Sequence, residues 1–238
     1  MRPLTRFGTP PAVASLSGAR DSWSDGTNDG DYGLADTGAV YRWKAAISRW
    51  VPSGIYGNTF TQLGATLGAS ASPSGWTKIG TGFSTDGTTL TIGKSPNSDQ
   101  SYLRRTTTAG SVLFLSGWYD CSTLSGTAAD AAMVARYQNG TKERSFQLNS
   151  SRQLTCHGSA ETGVDDGTSL ATRKYVEIYF SAANGISYAY VNQSPVANAG
   201  IAYADGASTA NNRLELGDAS SGGTGVGNFE DFAAFVLT

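Results

Sequence analysis

The chain has 238 residues and a formal charge of −2, with 17 basic and 19 acidic side chains, one His and two Cys. Glycine, serine and threonine supply 84 residues, against 15% charged and 39% hydrophobic, a balance that can build a core and so separates the chain from disordered Gly/Ser-rich segments. Near-neutral charge without Lys/Arg runs excludes the electrostatic footprint of a nucleic-acid binder, a lone His excludes any site that needs two, and no apolar run approaches the ~18 residues of a membrane helix.

Residues 1–20 carry Arg2, Arg6, Phe7 and the helix-breaking Pro3, Pro10 and Pro11, so they are expected to form an extended arm that gains order only against a partner. They lack the apolar segment of about 7 or more residues that a secretory signal needs, and synthesis in a cytoplasm without a signal peptide is expected. Residues 21–57 hold Trp23, Trp43 and Trp50. Val40–Trp43 and Ile47–Val51 are predicted to pair as a β-hairpin around Lys44-Ala45-Ala46, giving a small aromatic module that is marginal by itself. Residues 58–75 are rich in Gly, Ser and Ala and are expected to be a linker.

From residue 76 to 238 the pattern is that of short strands and turns. Lys174–Phe180, KYVEIYF, alternates Val176, Ile178 and Phe180 with Tyr175, Glu177 and Tyr179, as a sheet with one buried face requires. Thr88–Ile92, Ser101–Thr106, Ser111–Tyr119, Met133–Gln138, Ser145–Asn149, Gln153–Cys156, Ile186–Val191, Arg213–Leu216 and Phe229–Leu237 are further predicted strands. Asp86-Gly87, Asn139-Gly140, Asp166-Gly167, Asn184-Gly185 and Asp205-Gly206 are predicted turns. Convincing helical periodicity is absent. The expected fold class is all-β: the N-terminal hairpin module with its arm, then an antiparallel β-sandwich.

Two resemblances follow from particular residues. Trp76–Ile92 with its Asp86-Gly87 turn, the strand Lys174–Phe180, Asn184-Gly185, Ile186–Val191 with Asn192-Gln193, Arg213–Gly217 (RLELG) and Phe229–Leu237 (FEDFAAFVL) together resemble the laminin G-like, concanavalin A-like jelly-roll superfamily. The family pattern has Gly where Gln193 stands. Gly30–Pro52, with Asp36-Thr37-Gly38, Tyr41, Trp43, Trp50 and Pro52, resembles short modules of tail-fibre, spike and other virion proteins of tailed bacteriophages.

The chemistry of candidate sites is sparse. The E-x-D-x-x-E spacing of the jelly-roll family's glucanases does not occur. Glu230 and Asp231 are adjacent and point to opposite faces of a strand, and Asp165-Asp166 are expected in a turn, so a carboxylate pair for glycoside hydrolysis is missing. His157 follows Cys156 directly, which separates the two side chains across a strand. Cys121 and Cys156 are read as buried thiols, with a disulfide the lesser alternative. Laminin G-like modules bind calcium at the sandwich rim, and Asp205, Asn211 and Asp218 are oxygen donors of the right kind without the DxDxDG spacing; no other cofactor is expected. For carbohydrate, the candidates are an aromatic platform at Trp118 or Tyr119, of which alternation buries one, and Tyr203 beside Asp205. Trp118 is expected in the core, leaving Tyr119. Arg104, Arg105 and Arg136 are read as strand-face charges; Arg outnumbers Lys by 12 to 5 and also suits contacts between subunits.

The resemblances imply a non-enzymatic virion component, whether spike, fibre, tail or capsid decoration. Arg2, Arg6, Phe7, Trp23, Trp43 and Trp50 would then form its assembly interface, to other virion proteins and to further copies of itself; trimers are usual in the resembled class. Neither nucleic acid nor membrane insertion is expected. The alternative is a lectin-like module that binds host surface polysaccharide; an enzyme acting on polysaccharide is disfavoured by the missing carboxylate pair.

Overall fold

The computed structural model of the chain describes residues 13–16, 23–29, 31–35, 39–45, 48–55, 58–93, 101–108, 112–125, 133–138, 143–149, 151–157, 161–181, 186–191, 194–195, 201–202, 212–218 and 224–237. It divides into two compact units, Met1–Phe60 with Thr238, and Thr61–Leu237.

In the first unit the strands are β1 (Val13–Leu16), β2 (Tyr32–Ala35), β3 (Ala39–Lys44), β4 (Arg49–Ile55) and β5 (Asn58–Gln62), the last running into the second unit. β1 pairs parallel to β2, and the rest pair antiparallel in chain order up to β5. The predicted hairpin is β3–β4, with Trp43 directly opposite Trp50. Their rings meet edge to face at 5.5 Å, and Trp23 meets Tyr41 in the same way at 5.0 Å, a geometry that adds to area burial. Trp43, Trp50 and Tyr41 form a closed miniature core with Trp23 against it. The Trp50 indole N–H donates to the Ser24 carbonyl at 2.9 Å. Gly26 is required here, since a Cβ would lie 2.3 Å from Trp43 Cγ.

The second unit is an antiparallel β-sandwich. Its strands are β6 (Thr77–Ile79), β7 (Phe83–Thr85), β8 (Thr89–Gly93), β9 (Ser101–Thr106), β10 (Val112–Ser125), β11 (Met133–Gln138), β12 (Glu143–Leu148), β13 (Gln153–His157), β14 (Glu161–Ser169), β15 (Lys174–Ser181), β16 (Ile186–Val191), β17 (Ser194–Pro195), β18 (Ile201–Ala202), β19 (Arg213–Asp218) and β20 (Thr224–Leu237). One sheet has seven strands in the order β14-β13-β12-β11-β19-β9-β6. The other runs β7-β8-β20-β10-β15-β16, with β17 and β18 pairing to β16. Alternation sends Leu103, Tyr137, Phe146, Leu148, Leu214 and Leu216 of the first sheet inward, where they meet Leu113, Leu115, Ile178, Phe180 and Phe229 of the second. Phe180 ties the layers together, 5.8 Å from Tyr137 and 5.6 Å from Phe146.

The longest pairing, β10 with β20, is interrupted by a bulge. Ser116 faces Ala233 while Trp118 faces Glu230, so two residues of β20 oppose Gly117 and Asp231 takes φ 46°. A Cβ on Gly117 would sit 2.3 Å from the Cα of Phe232 and 2.8 Å from the Asp231 oxygen. Backbone cannot swing aside as a side chain can, so Gly117→Ala is expected to cost about 3 kcal/mol, the upper end of the overpacking range, read as the shift of a urea unfolding midpoint. At the predicted Asp86-Gly87 turn, the Thr88 N–H, the Thr89 N–H and the Thr88 hydroxyl all donate to the Asp86 carboxylate and hold its pKa below the usual value.

Three expectations are corrected. Residues 58–75 are not a linker: β5 opens the segment, and Leu67 is 1% exposed within the core. The Leu67 N–H donates to the Phe232 carbonyl at 2.7 Å and the Phe232 N–H returns to Leu67 at 3.2 Å. The sandwich unit therefore starts near Thr61 rather than at residue 76. Asp165 and Asp166 lie in β14, paired to β13 through irregular register, and not in a turn. Cys121, by contrast, is the buried thiol expected from the sequence, donating to the Thr123 carbonyl at 3.2 Å.

Candidate functional site

On the seven-stranded sheet, the face away from the core is polar. Where Leu214 and Leu216 point inward, Arg213 and Glu215 point outward from β19. The neighbouring strands add Tyr102 and Arg104 from β9 on one side and Arg136 and Gln138 from β11 on the other. Register places Glu215 directly between Arg104 and Arg136, and Arg213 opposite Gln138. Ser145 and Gln147 of β12 follow beyond β11, joined by a 2.9 Å hydrogen bond.

Glu215 is the centre of this face, fully buried although it points away from the core. Its Oε1 accepts from Arg104 Nε at 3.0 Å and is 2.9 Å from Arg213 Nε; its Oε2 accepts from Arg136 Nε at 2.7 Å and from Arg136 Nη2. Arg104 also donates to the Tyr102 hydroxyl and stands 5.1 Å from that ring's centroid, and Arg213 Nε donates to Gln138 Oε1. Burial lowers the pKa of Arg213 below arginine's ordinary value, Glu215 opposes the shift, and Arg104 and Arg136 add to it. The arginine side chains are 30%, 19% and 23% exposed at Arg104, Arg136 and Arg213, so the cluster stays open to solvent. A carboxylate clamped by three guanidiniums fixes where their charged heads stand.

The residues singled out from sequence fall elsewhere. Tyr119 is no glycan platform: it is 1% exposed and packs edge to face on Phe229 inside the core. Leu113 and Leu115 set the inward parity of β10, and Tyr119 shares it. Trp118 is the outward one, half-buried against Tyr175 and beside Glu230. Trp43 and Trp50 are buried in the first unit's own core, so neither is an exposed interface residue, and Trp23 is half-buried against them. Arg2, Arg6, Phe7, Tyr203, Asp205 and Asn211 lie outside the described residues, as do the side chains of His157 and Asp218. Arg105 faces the opposite side from Arg104 and donates to the Gly75 carbonyl. The sequence signal for the polar face is the Arg213-Leu214-Glu215 alternation, which places two opposite charges on one strand face.

No family model and no curated protein matches the chain. Solved structures match the fold. The conserved carbohydrate esterase of the Shiga toxin-encoding bacteriophage phi24B aligns with a TM-score of 0.50 at 14% identity, covering 75% of this chain and 99% of that one. Trypanosoma rangeli sialidase aligns with a TM-score of 0.53 at 10% identity, covering 90% of this chain and 43% of the sialidase. Its complex with sialic acid aligns at 0.52 and 12% identity, over 75% and 30% of the two chains. At such identities the likeness establishes the fold: a jelly-roll sandwich shared with carbohydrate-active proteins. It also corrects the expectation that the chain is not an enzyme. An esterase and a sialidase contain this sandwich, so the missing E-x-D-x-x-E excludes one glucanase arrangement and no more than that.

Proposed function

We propose that the chain engages carbohydrate on the polar face of its seven-stranded sheet, as the glycan-contacting component of a phage-type particle. One observation carries the reading: three guanidiniums from the adjacent strands β9, β19 and β11 converge on Glu215 and reach solvent, backed by the buried Gln138 amide and Tyr102 phenol. Such an array, partly buried and rich in oriented donors, suits a hydroxyl-rich ligand. Support for carbohydrate comes from the esterase and sialidase sandwiches, and support for a particle comes from the phage source of the esterase and the resemblance of residues 30–52 to tail-fibre modules. In this reading the chain acts in the virion, after synthesis in the host cytoplasm, beside other virion proteins.

The test is retention of the full chain on a panel of immobilised neutral and acidic bacterial surface polysaccharides, with released sugar measured in parallel. Arg136→Ala is expected to weaken retention about tenfold, the value of one charge-assisted hydrogen bond, while Arg173→Gln, in the turn before β15 where Arg173 pairs with Glu230, leaves it unchanged. Release of sugar would identify turnover on the same face, and retention without release a lectin. Equal losses for both substitutions, or no retention on any polymer, would overturn the proposal.

A further inference from the structure

We infer that the arginine face takes the carboxylate of an acidic sugar, a hexuronate residue within a glycan chain. This rests on the carbohydrate reading above and adds the charge and the atoms recognised. Three guanidiniums share one carboxylate here, and among the described residues no second carboxylate pairs with them. Among the described side chains the face therefore holds three guanidiniums against one carboxylate, on a chain whose net charge is −2. Partial burial weakens the screening that would make such an excess harmless.

The donors decide what can relieve it. Glu215 receives three hydrogen bonds, from Arg104 Nε, Arg136 Nε and Arg136 Nη2, and stands beside Arg213 Nε, whose one hydrogen goes to Gln138. Among the described residues, no hydrogen bond uses Nη1 or Nη2 of Arg213, nor Nη1 of Arg104 or Arg136. None of these nitrogens is a fully buried atom, so water reaches them. The Nη1/Nη2 edge of Arg213 is a planar fork, held in place at its Nε by Gln138 and Glu215. Such a fork matches two carboxylate oxygens with two parallel hydrogen bonds, which an ammonium cannot imitate. A hexuronate carboxylate seated on that edge supplies one of the missing negative charges and engages donors that the protein leaves to solvent.

The experiment measures binding of the full chain to polygalacturonate and hyaluronan, to their carboxyl-reduced forms, and to dextran sulfate and polyglutamate. At least one polyuronate is expected to bind about tenfold or more tightly than its reduced form. Arg213→Lys, which keeps the charge and loses the fork, is expected to remove that preference for the native over the reduced polymer. Equal binding of native and reduced polymers overturns the inference and leaves the carbohydrate reading standing; no binding of any glycan overturns both. Dextran sulfate or polyglutamate binding as tightly as the polyuronates overturns it in favour of a sulfate site or an acidic-peptide site. Should Arg213→Lys fail to fold, the native-versus-reduced comparison on the unaltered chain decides the question.

Discussion

Glu215→Ala is expected to cost about 3–5 kcal/mol, the penalty for removing one partner of a buried ion pair. The carboxylate is fully buried while its three arginines are 19–30% exposed, so water recovers part of the loss and places the effect toward the lower end of that range. Two things disappear together. The hydrogen-bond acceptor of Arg104 and Arg136 is lost, and three like charges on adjacent strands face one another without a compensating anion. Against a total stability of about 5–15 kcal/mol this is a large fraction, readable as a drop in the urea midpoint. The mechanism has a signature that a packing defect lacks: sulfate should restore more of the lost stability than an equal ionic strength of chloride, because a multivalent anion can sit where the carboxylate was. Glu215→Gln keeps the shape and one acceptor and should lose less than Glu215→Ala. An unchanged midpoint in Glu215→Ala would falsify the central role given to this residue.

Leu67→Ala is expected to cost about 2–5 kcal/mol. Leu67 is 1% exposed among the core side chains and is the one described bridge outside the named strands, bonded both ways to Phe232. The surrounding segment is tied down as well. The Ala65 N–H donates to Ser74 at 2.7 Å, the Trp76 indole donates to Ala65 at 3.1 Å, and the Thr85 hydroxyl donates to Gly68 at 2.7 Å. A cavity left by Leu67 cannot close easily against so many fixed neighbours, which favours the upper half of the range. The comparison that decides the boundary is a chain starting at Thr61 against one starting at Trp76: the shorter is expected to be less stable by at least the Leu67→Ala loss. Equal midpoints would mean that 61–75 is a linker after all.

Much of the sandwich was legible because strand formation leaves a period-two trace in neighbouring residues. Ser101–Thr106, Met133–Gln138 and Ile186–Val191 have the predicted limits, and Lys174–Ser181 and Arg213–Asp218 extend theirs by one or two residues. β14 was hidden because Asp165, Asp166 and Gly167 mimic a turn, and its pairing to β13 carries register shifts that break alternation. The segment around Leu67 was hidden for another reason. A small-residue run with two leucines is locally featureless, and only the groove beside Phe232 gives Leu67 a place to be buried.

The site divides in the same way. By itself the sequence determined the all-β class, the Asp86-Gly87 turn, and the local fact that Arg213 and Glu215 share one face of a strand, since side chains two apart on a strand project to the same side. Only the tertiary structure decided that Arg104 and Arg136, 111 and 79 residues from Glu215, stand on either side of it. That arrangement depends on β9 and β11 flanking β19 in a register set by inward packing of Leu103, Ala135, Leu214 and Leu216. The order of strands across a sheet is a long-range outcome of core packing, and no local pattern in the chain encodes it.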